Sequence, residues 1–444
     1  MANDKDFVVK GPVIVGKDTK VTVGTIAAGA VDLSTGNYFT DTPTGDYTYS
    51  FTNPGDVQAF QIEATGGSAA VASTFSTTLY TGTGAAQTIT NGLDLSGDGG
   101  LVWMKKRSGA LGNIAHGLYD TGRGINQLLS SDRTAIEVTS ADSLTAFNST
   151  GFTLGADATY GRVNYSGIAY ASWTFKKQAK FFDVVTWTGN AVSGREIPHN
   201  LGTTVGSIFV KQRTGLNNWM VYHRGANGGT NAEDYNLYLN QTNANEANAM
   251  WADTAPTDTH FTVSGYTAVN GANNTYVAYV FAHDTDASSM IKCGSYTGNG
   301  SATGPVINLG WQPQWLLVKR SDAGTDQWLM LDTVRGWPSG GTVQRLWANG
   351  DDSEAAAAWA SMYLSTTGFQ PAATDSTINT NGATYIYMAI RAASAPAITW
   401  PTSIEWAGGV TPSTPAEGAT DVFTFTTDDT GTSYTGVKSI DNAS

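Results

Sequence analysis

Apolar positions along the chain fall in short runs, either alternating or continuous, broken every few residues by glycine, asparagine or threonine. Runs such as Val102-Trp103-Met104-Lys105, Ile208-Phe209-Val210-Lys211 and Leu316-Leu317-Val318-Lys319 have the length and the branched or aromatic character of strands. The same holds for Tyr170-Ala171-Ser172-Trp173-Thr174-Phe175, Tyr276-Val277-Ala278-Tyr279-Val280-Phe281 and Tyr385-Ile386-Tyr387-Met388-Ala389-Ile390. Long stretches of Leu, Ala, Glu and Lys at helical spacing are missing. The pattern predicts an all-β protein. One short helix is expected over 355–361, where Asp351-Asp352-Ser353-Glu354 would cap an alanine run with acidic residues.

These runs repeat. An aromatic followed by Thr-Gly occurs at Tyr80-Thr81-Gly82, Trp187-Thr188-Gly189 and Tyr296-Thr297-Gly298. A strand ending in lysine follows each, at Lys105, Lys211 and Lys319, then a phenylalanine at Phe152, Phe261 and Phe369, then the closing β-run. The landmarks keep one order and recur about 108 residues apart, far beyond the 20–50 residues of a solenoid unit. Three tandem modules are therefore expected, at 73–178, 179–285 and 286–395. Each is long enough to hold its own core, so they should lie as beads in a row, each a two-sheet β-sandwich. The recurrent lysine is expected where its strand leaves the core.

Two strand-bearing pieces flank the modules. One runs from Val31-Asp32-Leu33 through Tyr47-Thr48-Tyr49-Ser50-Phe51 to Phe60-Gln61-Ile62-Glu63; the other from Ile398-Thr399-Trp400-Pro401 to Asp421-Val422-Phe423-Thr424-Phe425. Neither has enough strands to bury a face alone. The expected architecture is thus three β-sandwich-like modules inserted into a split small β-domain, 1–72 plus 396–444, joined through Ala-rich segments at 66–70 and 392–396. Phe51 and Trp400 should share one core. Ahead of it, Val8-Val9 and Val13-Ile14-Val15 read as short strands of an N-terminal arm, whose unpaired edges predict intersubunit pairing and a homotrimer.

Joined directly, the flanking pieces resemble a small β-domain common near the ends of phage tail and head-fibre proteins. That domain carries a DLSTGN-x-F opening, a tFsNP turn, a WP-x-S-x-x-W-x-GG stretch and a D-V-F-x-F-x-T run. Here the turn reads Ser50-Phe51-Thr52-Asn53-Pro54. The modules in turn resemble β-modules of unknown function in structural proteins of marine phages. The resemblance implies a virion protein assembled in the host cytoplasm, with other virion proteins as partners. A tail-fibre or tail-appendage subunit contributing to host-surface attachment is the leading expectation. A head fibre or capsid decoration protein and a polysaccharide-degrading tailspike are the alternatives.

Composition narrows the chemistry. The 444 residues suit about three domains. Apolar residues make up 41% and charged residues only 14%, against about 25% in an average domain. The net charge of −13, with no basic run, argues against nucleic acid and anionic membranes as partners. The start, Met1-Ala2-Asn3-Asp4-Lys5-Asp6, lacks a signal-peptide pattern, and no run approaches the roughly 20 apolar residues of a membrane span. The single cysteine, Cys293, excludes an internal disulfide and is expected as a buried thiol.

No catalytic, cofactor or metal constellation stands out, and the chain is not expected to be an enzyme. His116, His199, His223, His260 and His283 show no metal-ligand spacing, and the turn matching His199 in the third module, Ile307-Asn308-Leu309-Gly310, has no histidine. Asp94 and Asp98 around Gly97 lack the oxygen spacing and distal glutamate of a calcium loop. Binding is the remaining possibility. Among 13 Trp and 19 Tyr, Trp311 and Trp337 sit beside glycine or proline in expected loops, unmatched in the other copies. They are the candidate carbohydrate contacts, as aromatic faces suit the C–H faces of a host-surface glycan.

Overall fold

The computed structural model describes residues 23–443 apart from 28–29, 35–37, 42–46, 53–58, 66–70, 110–111, 287–288, 339, 394–397, 410, 413–419 and 428–432. The expected N-terminal arm and most of the two Ala-rich joints lie outside the described residues. The fold is all-β. Among the described residues there is one α-helix, the four-residue Thr267–Asn270. Two compact units form, one from 1–72 with 393–444 and one from 73–392.

The first unit is an eight-stranded sheet built from both ends of the chain. Its junction is the antiparallel pairing of Ala59–Thr65 with Thr420–Thr426, which sets Phe60 opposite Phe425 and Ile62 opposite Phe423. A second link pairs Tyr47–Thr48 with Ile398–Thr399 in parallel. Alternation along these strands sends the aromatics to one face. Trp400 stacks on Tyr49 at 4.8 Å and meets Phe425 at 5.6 Å. Phe51 packs on Phe425 at 5.5 Å and on Tyr434 at 5.0 Å. Phe51 and Trp400 thus contribute to one core.

In the second unit each copy lays down the same four strands in the same order. The opening strands are Phe75–Thr81, Phe182–Thr188 and Ile291–Thr297; each pairs with a closing strand, Ala169–Lys176, Thr275–Ala282 or Thr384–Arg391. The closing strand also pairs with the lysine strand, Gly100–Ser108, Val205–Gln212 or Pro313–Arg320. The lysine strand in turn pairs with a short strand, Gly117–Asp120, Met220–His223 or Leu329–Asp332. Flanked on both edges and covered on both faces, the closing strand reads as a continuous apolar run. A smaller sheet holds the recurrent phenylalanines, each fully buried opposite an isoleucine: Phe152 on Ile89, Phe261 on Ile197, Phe369 on Ile307.

The aromatic-Thr-Gly landmark has a packing cause. Its ring stacks on the second residue of the closing strand in all copies: Tyr80 on Tyr170, Trp187 on Tyr276, Tyr296 on Tyr385, at 5.3, 5.3 and 5.0 Å. The glycine then passes so close to neighbouring backbone that a Cβ would fall 2.3, 2.1 and 2.2 Å from the carbonyl oxygens of Tyr165, Gly271 and Thr380. No other residue fits. A buried asparagine staples each following turn: Asn164, Asn270 and Asn379 accept from Thr83 N, Asn190 N and Asn299 N at 2.9, 3.2 and 2.9 Å.

The beads-in-a-row expectation does not hold. The three copies close into a ring with pseudo-threefold contacts. Glu137 N donates to Arg213 O, Asn245 N to Ser321 O, and Glu354 N to Arg107 O, at 2.9, 2.7 and 2.9 Å. Copy 1 thus reaches copy 2, copy 2 reaches copy 3, and copy 3 returns to copy 1. A second set follows the same circuit in reverse. Trp219 Nε1 donates to Ser130 O at 2.8 Å, Trp328 Nε1 to Tyr238 O at 2.9 Å, and His116 Nε2 to Trp347 O at 2.9 Å. Phe175 of copy 1 packs on Phe281 of copy 2 at 5.6 Å and on Trp315 of copy 3 at 5.9 Å. Copies 1 and 3 keep apolar clusters of their own. The ring forms because aromatics on the outward faces of these sheets find burial only against another copy.

Candidate functional site

Several of the buried charged groups lie at the ring seams. Lys105, Lys211 and Lys319 do not mark strands leaving the core; all three are fully buried. Lys105 Nζ donates to Ile114 O at 2.6 Å and across the seam to Asp351 O at 2.8 Å. Lys211 Nζ bridges Asn217 O at 2.8 Å and, across its seam, Thr134 O at 3.1 Å. Burial pushes each of the three amines down to about 8. Their ammonium protons are spent on carbonyls that a loop cannot leave bare, so these lysines hold loops rather than bind ligands.

Two of the three seams carry the same ionic lock. At the first, Arg123 contacts Asp120 and reaches Glu137 at 3.0 Å, Arg213 of copy 2 clasps Glu137 at 2.7 Å, and Tyr279 Oη donates to Asp120 at 2.8 Å. Burial pushes Glu137 up, but the two guanidinium groups overcome it and hold the carboxyl below its ordinary range. At the seam of copies 3 and 1, Arg335, Asp332, Glu354 and Arg107 repeat this, with Trp173 Nε1 donating to Asp332 at 2.9 Å. The acidic run 351–354 is therefore a seam element. The helix expected after it is replaced by the strand Ala355–Ala357, paired to Val343–Trp347, because the Glu354 N–H is bound across the seam and holds the chain extended.

The seam of copies 2 and 3 has histidines instead. His223 Nδ1 accepts from Gly225 N at 3.0 Å, so Nε2 carries the proton and donates to Tyr387 O at 3.0 Å. His283 lies between two donors, with Arg224 Nη1 2.9 Å from its Nε2 and Cys293 N 3.2 Å from its Nδ1, and as a neutral ring it accepts from one of them. Burial pushes His223 down to about 3 and His283 down to about 4. Both are neutral in the fold and, near pH 6.5, readily protonated once unfolded. Stability from this seam is therefore complete above pH 6.5 and falls as pH drops toward these values. From pH 6.5 to 5, the loss due to His223 is expected to be about 2 kcal/mol, and that due to half-buried His283 less. Thermal unfolding against pH checks this: His223→Gln should flatten the slope over that interval, and an unchanged slope contradicts it.

The remaining candidates are structural. Trp311 and Trp337 are buried at 5% and 3% exposure in the copy 3 core. Their ring N–H groups donate to Ser289 Oγ at 3.0 Å and Met362 O at 2.7 Å. Neither presents a face to a sugar, because the glycine and proline beside them turn the loop back over the core. His199 is buried, and His260 lies 3.5 Å from Glu196. Asp94 accepts from Ser96 N and Gly97 N as a turn cap, and Asp98 pairs with Lys176 at 2.9 Å. Cys293 is buried, as expected.

An open cleft of about 500 Å³ lies elsewhere on copy 3. Its aromatic part is Trp359, 42% exposed, stacked on the buried Trp347 with centroids 5.9 Å apart and planes at 27°. The Arg345 guanidinium covers the Trp347 ring at 4.8 Å, and its Nη1 has no hydrogen-bond partner among the described residues. Gln327, Asp352, Asp375 and Thr377 also line the cleft. The Trp347 carbonyl is the one held by His116, so the ring seam fixes the floor of the cleft.

The stretch matched by a known family, residues 71–394, coincides with the 73–392 unit and takes in all three copies. The chain belongs to the DUF7483 family, a domain of unknown function. No curated protein matches the sequence. The DUF7483 unit is thus the closed ring rather than a single copy. Sequence reasoning missed Arg345, Trp347 and Trp359. The available signal was an aromatic pair spaced around the acidic run in copy 3 alone.

Proposed function

We propose that this protein is a structural subunit of a phage particle surface, a tail-fibre or tail-appendage protein that contributes to host-surface attachment without enzymatic activity. The observation that carries the reading is the first unit. Residues of the fibre-type pattern, Leu33, Phe39 and Phe51 from one end and Trp400, Trp406, Phe423 and Phe425 from the other, pack into one core. The rigid DUF7483 ring inserted within it suits a display element, since its seams hold buried charge in place and leave loops free to vary. Its partners in this reading are other virion proteins, with a homotrimer formed through the N-terminal arm.

Antibody raised against residues 73–392 should label the tail of purified particles in electron micrographs. Labelling of the capsid supports a head-fibre or decoration role instead, and unlabelled particles overturn the virion reading. Sedimentation of the full chain beside one lacking residues 1–30 should give a trimer and a monomer; a monomer in both removes the arm from assembly.

A further inference from the structure

We infer that the copy 3 cleft is a binding site for uncharged pyranose sugars, with Trp359 as the stacking platform and Arg345 as the principal hydroxyl donor. The inference rests on the attachment reading for its biological setting; the chemistry comes from the cleft.

Trp359 is the large aromatic of the cleft left open to solvent, and it is not free to swing away. It stacks on Trp347, which is itself 5% exposed and carries Arg345 on its ring. An indole held flat and half-exposed costs little to order on binding and offers a face to the axial C–H groups of a pyranose. Arg345 supplies a planar fork of donors in the cleft lining, its guanidinium held over the Trp347 ring. A guanidinium gives the stronger, charge-assisted hydrogen bonds to a ligand oxygen placed beside it. Asp352, Asp375, Gln327 and Thr377 add acceptors and short polar groups to the lining. Paired hydroxyls, each both donor and acceptor, are the ligand groups that suit guanidinium and carboxylates at once.

Charge selects among sugars. Asp326, Asp352 and Asp375 line the cleft against the single Arg345, and the chain carries −13 overall. Sialic and uronic acids would meet net repulsion. A cationic ligand would lie beside the like charge of the Arg345 guanidinium, on which the Asp352 carboxylate already acts. Uncharged hexose units remain. Copies 1 and 2 lack the arrangement: where Trp347 takes the hydrogen bond across its seam, the groups doing so in those copies are Ser130 and Tyr238. One site per chain follows.

The test is calorimetric titration of the full chain with neutral gluco-, galacto- and manno-oligosaccharides, beside sialylated and uronate oligosaccharides. At least one neutral ligand should bind with Kd below about 1 mM, and the anionic ones should not. Trp359→Ala should weaken binding by about tenfold or more, and Arg345→Gln similarly, while Trp359→Tyr keeps most of the affinity because the stacking face survives. Leu216→Ala, 74% exposed on copy 2, should change nothing. Unfolding temperatures of the variants, matched to the parent, separate lost contacts from lost structure. Silence across the neutral panel, binding of anionic sugars alone, or full affinity in Trp359→Ala overturns the inference. Particle labelling is independent of this result. A labelled particle with a silent cleft removes the sugar site alone, and a binding cleft on unlabelled particles removes the virion reading alone.

Discussion

Replacing Arg123 with methionine is expected to destabilise the DUF7483 ring by about 3–5 kcal/mol, measured by urea unfolding of the full chain. The guanidinium has no solvent exposure and serves five groups: Asp120, Glu137, the carbonyls of Gln127 and Leu118, and Tyr279 Oη of copy 2. Methionine fills much of the volume but leaves Asp120 as a buried charge with one hydroxyl and a backbone N–H for company. Glu137 suffers less, since Arg213 still clasps it with bonds of 3.0 and 2.7 Å. Replacing Asp120 and Arg123 together with apolar residues of like volume should therefore cost less than Arg123→Met alone, as removing both charges leaves none stranded. Arg335→Met should behave in the same way at the seam of copies 3 and 1. A loss under about 1 kcal/mol for Arg123→Met would mean that water reaches Asp120 and that the lock is not closed.

Ending the chain at Ala393 is expected to unfold residues 23–65 while leaving 73–392 folded. The strand Ala59–Thr65 loses the seven-residue partner that covers one of its edges. The core loses Trp400, Ile404, Phe423, Phe425 and Tyr434, five of its eleven buried members. Deleting one buried phenylalanine or tryptophan typically costs 3–5 kcal/mol, so losing several exceeds the ~5–15 kcal/mol that holds a whole domain. Calorimetry should show two transitions in the intact chain and one after truncation, with rapid proteolysis confined to the N-terminal segment. The reciprocal change, joining residue 70 directly to 396, should leave a small protein with a cooperative transition. A protease-resistant N-terminal segment in the truncated chain would contradict the shared core.

Both outcomes depend on partners distant in sequence, and they differ in how visible those partners were. The pairing of Phe60 with Phe425 could be anticipated, because each half showed strand alternation without enough strands to bury a face. The partnership of Arg123 with Arg213 and Tyr279 could not. Arg123 sits in an ordinary turn after Asp120, and nothing local marks it as buried. Comparing the copies would have helped: Asp120 and Arg123 match Asp332 and Arg335, while copy 2 has His223 and Ala226. Two charges conserved in spacing between copies, in a chain with so few, are a signal for a recurring ionic contact.

The helix expected over 355–361 failed for a related reason. Acidic residues before alanines do favour a helix start, yet propensity amounts to fractions of a kcal/mol per residue. The seam bond from Glu354 N and the pairing of Ala355–Ala357 outweigh it. Trp311 and Trp337 show the same limit on side chains. Neighbouring glycine and proline mark a turn, but they do not say whether the turn faces solvent or folds back on the core.

The order of amino acids by itself determined the strands, the three copies and their landmarks, and the need of each flanking half for the other. These are properties of periodicity and of nearby residues: alternation sets faces, a glycine permits one close passage, and too few strands cannot bury a sheet. Closure of the copies into a ring, burial of Lys105, Lys211 and Lys319, and the meeting of Arg345, Trp347 and Trp359 beside Asp352 and Asp375 were decided only by the tertiary structure. Which outward face finds a partner depends on curvature and packing summed over whole sheets. A lysine on a strand end carries the same local pattern whether it meets water or the carbonyls of the next copy.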